Sequence, residues 1–88
     1  MTLVENLITL TVNGKEVRFK KPDRKVVSLA MTKAGKDVLE ATEVLIENCY
    51  VDGDLTKRDL IDNVGYLLGV SQKINDIIGV AEVELKKT

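Results

Sequence analysis

Asn13-Gly14 lies between two runs in which apolar and polar residues alternate, and this constrains the fold more than any other feature of the chain. Asn-Gly is the preferred pair for a two-residue type I′ turn, because both positions need positive φ. A turn there sets the register, with Val12 facing Lys15, Leu10 facing Val17 and Ile8 facing Phe19. Those residues form one apolar face, and Thr9, Thr11, Glu16, Arg18 and Lys20 line the other. A slip by one residue would turn both faces over, so the alternation and the turn support the same pairing. A lone hairpin is not stable in water, and something later in the chain must cover its apolar face.

The rest of the chain reads as helices. Pro22 ends the second strand, and Asp23 has the N-cap position of a helix over 24–34. Val26, Val27, Ala30, Met31 and Ala34 share one face of that helix, and Gly35 is its expected stop. A second helix is predicted over 37–48, with Val38, Ala41, Thr42, Leu45 and Cys49 on one side, widened by Leu39 and Ile46. Glu40, Glu43 and Glu47 project the other way, and Asp52-Gly53-Asp54 reads as a turn. Thr56 and Asp59 have the spacing of a capping box and open a third helix over 57–68. From there Leu60, Val64, Leu67, Ser71, Ile74, Ile78, Ala81 and Leu85 step by four and three alternately, a heptad seam weakened by Gly65, Gly69 and Gly79. The spacing predicts a break near Gly69–Ser71 and a fourth helix over 72–85, although Val-Ala-Glu-Val-Glu-Leu near the end also alternates like a strand. The expected architecture is one α+β domain over residues 1–88: an N-terminal two-stranded antiparallel β-hairpin over 7–20, followed by three to four packed α-helices. A chain of 88 residues leaves no room for a second core.

The side-chain inventory argues against an enzyme. Histidine is absent, which removes the commonest general base and metal ligand together. Cys49 therefore has no imidazole partner and reads as a small buried hydrophobe, and a single cysteine fits a reducing cytoplasm. A calcium loop starting at Asp52 would need Gly where Lys57 stands and Glu where Asn63 stands. Neither a G-x-G-x-x-G nor a Walker lysine motif occurs. The sequence assigns no catalytic, cofactor-binding or metal-ligating residue, and no cofactor is expected. No apolar run approaches the ~18 residues that span a bilayer, and the N-terminus lacks a signal-peptide pattern.

Charge is the remaining signal. Residues 15–36 hold eight basic side chains against Glu16 and Asp23, and Asp37 to Asp62 holds eight acids against Lys57 and Arg58. Arg18, Lys20, Lys21, Arg24 and Lys25 bracket the junction of hairpin and first helix, where a compact positive patch would contact phosphates. Interleaved aromatics for base stacking are missing, so nucleic acid is an unlikely partner. The reversal reads as two oppositely charged surfaces of one small body, suited to pairing internally or head to tail.

The words V-N-G-K-E-V-R-F-K-K-P, D-R-K-V-V-S-L-A-M and E-A-T-E-V-L-I-E-N-C-Y-V-D-G-D resemble small proteins of the tail-assembly region of phages and prophages. The likeness covers roughly residues 10 to 55, and is best at Phe19-Lys20-Lys21-Pro22 and from Leu45 to Asp54. Such proteins look like tail assembly chaperones. The resemblance implies a non-enzymatic role in the bacterial cytoplasm, binding a long helical tape-measure protein before the tail polymerises. The seam from Leu60 to Leu85 offers anchors at helix-in-groove spacing. Two other readings stay open: a small virion structural protein that oligomerises through its charged surfaces, and a nucleic-acid-binding module using residues 15–36. Self-association is compatible with the first two readings.

Overall fold

The structure, a computed structural model, describes residues 7–81, 83, 85 and 86. Strands β1 (Leu7–Val12) and β2 (Lys15–Lys20) pair antiparallel with Ile8 opposite Phe19, Leu10 opposite Val17 and Val12 opposite Lys15. Asn13 and Gly14 adopt φ of 52° and 80°, as the turn requires. Helix α1 (Arg24–Ala34) starts where Asp23 accepts a hydrogen bond from the Val26 N–H at 3.0 Å. It ends at Gly35, whose φ of −62° is right-handed, so this glycine stops the helix without a left-handed cap. Asp37 caps α2 (Val38–Cys49) through the Leu39 N–H.

The sheet has three strands, not the two expected. Residues Tyr50–Gly53 form β3, which pairs antiparallel with β2 to give the order β1-β2-β3. Acids and a glycine that read locally as a turn are held in place by β2. Asp54 donates its N–H to the Glu16 carbonyl at 2.7 Å, and its carboxylate accepts the Glu16 N–H at 3.0 Å. Val51 is the extra residue of a bulge, because Asp52 faces Arg18 while Tyr50 faces Phe19. The Tyr50 ring meets Phe19 edge-on at 6.1 Å between centroids, and its hydroxyl donates to the Leu55 carbonyl.

The predicted helix over 57–68 is two helices. Thr56 and Asp59 form the capping box of α3 (Lys57–Asp62), and then Asn63 turns extended and caps α4 (Val64–Ser71) through the Tyr66 N–H at 3.0 Å. The predicted helix over 72–85 shrinks to α5 (Ile74–Ile78), which Gly79 closes in the left-handed region at φ 77°. Residues 82 and 84 of that span lie outside the described residues. Each interruption rotates the apolar stripe, so the heptad seam does not survive. Leu60 and Leu67 are buried, Ser71, Ile74 and Ile78 are half-buried, and Val64, Ala81 and Leu85 are exposed. Val70 and Ile77 are buried in addition, on the faces the broken helices turn inward.

One core runs through these elements. Val17 and Phe19 on the apolar face of β2 join Ala41, Leu45, Ile46 and Cys49 of α2, then Leu60, Leu67, Val70 and Ile77. Thr42, also buried, donates its hydroxyl to the Val38 carbonyl at 2.9 Å and leaves no polar atom unsatisfied. Helix α1 is peripheral: it lies along α2 and buries only Ala30. Met31 and Val38, expected on packed faces, are exposed.

Candidate functional site

The basic junction forms on three elements, but its residues divide. Arg18, on the polar face of β2, donates from Nε to Asp52 Oδ1 at 2.5 Å and reaches Glu16 at 3.6 Å. The hydrogen bond to Asp52, reinforced by that carboxylate's charge, raises the Arg18 pKa further. Arg18 is thus a strand-pairing residue. Lys21 extends over the C-terminus of α5, where a Cβ on Gly79 would stand 3.2 Å from Lys21 Cε, and it stays exposed. Lys20, Arg24 and Lys25 are exposed and form no ion pair among the described residues. Of the expected five-residue patch Arg18 is committed to strand pairing, and Lys20, Lys21, Arg24 and Lys25 stay exposed.

Helix α1 continues this basic surface. Its outer positions carry Arg24, Lys25, Ser28, Thr32 and Lys33, and no acid lies within the helix. Leu29 and Met31, each 47% exposed, add apolar surface to it, Leu29 within that face and Met31 at its edge. Leu29 stands four residues from both Lys25 and Lys33, which places an apolar anchor between two cations on one line of the helix. On α2, Glu40 and Glu47 are exposed and Glu43 half-buried, again with no ion pair among the described residues. The oppositely charged helices therefore lie side by side without bridging.

The chain matches no protein-family model, no curated protein and no solved structure. Its geometry alone locates the candidate surfaces.

A second surface, which sequence reasoning missed, lies at the β1 edge of the sheet. A groove of about 560 Å³ runs between the end of β1, at Leu10 and Val12, and α4, at Gly65, Tyr66, Gly69 and Val70. The signal for it was the glycine pair Gly65 and Gly69, read only as weakening a helix. Space beside Gly69 is open, with no atom within 4 Å of where a Cβ would stand. A smaller hollow of about 280 Å³ beside Lys20, Lys21 and Val26 backs onto Cys49, whose thiol pKa burial pushes up. Protonated and enclosed, Cys49 packs as a small hydrophobe. Among the described residues no three metal-ligating side chains converge, and no helix is long and apolar enough to cross a membrane.

Proposed function

We propose that this chain is a non-enzymatic tail assembly chaperone, or an accessory protein of the same assembly, that binds a helical tail protein in the bacterial cytoplasm. The observation that carries this reading is the outer face of α1, where Leu29 stands exposed between Lys25 and Lys33 with no partner for either charge among the described residues. Such a face suits an amphipathic helix with an apolar stripe and an acidic flank. The resemblance of residues 10 to 55 to tail assembly chaperones supplies the class of partner. The heptad seam no longer supports the reading, because α3, α4 and α5 do not form one helix.

Co-expression with a long tape-measure-like tail protein tests it. Wild-type chain is expected to co-purify with that partner and raise its solubility, and Leu29→Glu is expected to abolish both while leaving the fold intact. No change in partner solubility and no co-purification would sink the proposal.

Lys20, Arg24 and Lys25 favour a second reading, contact with nucleic-acid phosphates. Generic DNA binding would then weaken steeply with salt, with a log–log slope of about −0.9 per phosphate neutralised. Absence of salt-sensitive binding in fluorescence anisotropy would dispose of this alternative.

A further inference from the structure

The two edges of the sheet are built differently. The β3 edge is short, bulged, and carries Asp52 beside Gly53, features that discourage another strand from pairing. The β1 edge, LITLTV, has six residues with no charge, no proline and no bulge, and its composition favours strand. Its outward backbone groups can be identified. Glu16 directs both its N–H and its C=O to Asp54, away from β1. Its partner Thr11 therefore directs its own N–H and C=O outward, and by alternation Thr9 and Leu7 do the same. None of these groups has a partner among the described residues.

The layer beneath that edge is equally unfinished. Helix α4, VGYLLGVS, which packs against β1, contains no charged residue in a chain that is 31% charged. Ile8 and Leu10 of β1 are only half-buried, while their β2 partners Phe19 and Val17 are fully buried, and Val12 is half-buried opposite exposed Lys15. The groove beside Gly65 and Gly69 is the space that the inward side chains of one more strand would fill.

We propose that this strand is β1 of a second copy of the chain, paired antiparallel across a two-fold axis at Thr9. The register places Thr9 opposite Thr9 of the other copy, Ile8 opposite its Leu10, and Leu7 opposite its Thr11. The sheet then continues as six strands, and Ile8 of each copy lies beside Leu10 of the other, where the groove begins. Self-complementarity is what selects a second copy as the occupant. The two-fold sets Thr9 against its own mate, joins apolar Ile8 to Leu10 on the inner face and Leu7 to Thr11, and brings no charged residue of the edge against another. Of the residues lining the groove only Lys73 is charged. The ladder between the two copies runs from Leu7 to Thr11, about 17 Å, a contact at the low end for a specific interface. The dimer is accordingly weak and forms only at high concentration.

Sedimentation velocity on the full chain alone, from ~10 μM to ~1 mM, tests this independently of any tail partner. A concentration-dependent monomer–dimer equilibrium is expected, with amide exchange at Thr9 and Thr11 slowing as the dimer forms. Thr9→Lys sets like charges opposite each other across the axis, and Thr9→Pro removes an outward N–H without touching the β1–β2 ladder. Each is expected to weaken dimerisation at least tenfold while the circular dichroism spectrum is retained. A strict monomer at the highest concentration would overturn the proposal, as would a wild-type dimer that either well-folded variant leaves unchanged.

Discussion

Gly53 is the residue at which this fold tolerates least. It sits at φ 150°, and a Cβ there would stand 2.5 Å from the Glu16 carbonyl oxygen and 2.6 Å from Val17 Cα. Both obstacles are backbone of the central strand, so no rotamer change relieves them. Gly53→Ala is therefore expected to destabilise the chain by ~2–3 kcal/mol in urea unfolding, and Gly69→Ala, which meets open space, is not. Cys49 gives a residue-scale prediction with a sign. Burial raises its pKa, so the folded state holds the thiol proton more tightly than the unfolded state does. Below the ordinary thiol range both states are protonated and the group has no effect on the pH dependence. As pH rises from ~8.5 through the folded-state value, the unfolded chain ionises first and stability falls. Tyr50, whose pKa burial also raises, acts in the same direction at higher pH. Urea midpoints between pH 8 and pH 10 (roughly the window set by these groups) should fall for the wild type. Cys49→Ala should fall less, and an equal fall would mean the thiol is not protected.

At the scale of elements, the decisive event is the interruption at Asn63. A helix continuous through α3 and α4 would place Val64 and Leu67 on the same seam, but the cap at Asn63 leaves Leu67 buried and Val64 exposed. Leu67→Ala should cost ~2–5 kcal/mol, whereas Val64→Ala should stay within about 0.5 kcal/mol. Equal effects of the two substitutions would restore the continuous seam. This contrast also shows what the sequence could convey. The hairpin register and the bounds of α1 were legible residue for residue, because Asn13-Gly14 and Pro22-Asp23 act locally and permit few conformations. β3 was not legible, because a strand of sequence YVDG is stabilised by hydrogen bonds to Glu16 and Arg18, more than thirty residues earlier. Asn63 was missed for a related reason: its side chain caps a helix equally well wherever one begins, and the seam through it suggested that none did. Of the candidate surfaces, the basic junction was visible as composition, but the loss of Arg18 to Asp52 depended on β3. The groove at β1 depended on where α4 packs.

Across the whole molecule, the reversal of charge between residues 15–36 and 37–62 becomes a juxtaposition of helices and not a network. The ion pairs among the described residues are Arg18 with Glu16 and Asp52, and Arg58 with Asp62 one helical turn away. None joins α1 to α2, although the two helices lie against each other and carry opposite charge. Exposed charges held apart in this way attract weakly, and that attraction is screened over about 10 Å at 0.1 M salt. Folding then draws little from it, while the α1 surface remains free to meet charges on another molecule. Raising sodium chloride from ~50 to ~500 mM should shift unfolding stability in urea by less than about 0.5 kcal/mol. Capture of an acidic helical partner on α1 should weaken strongly over the same range. If folding stability fell as steeply as capture, the two faces would be pairing within one chain, and α1 would have no unneutralised charge to offer a partner.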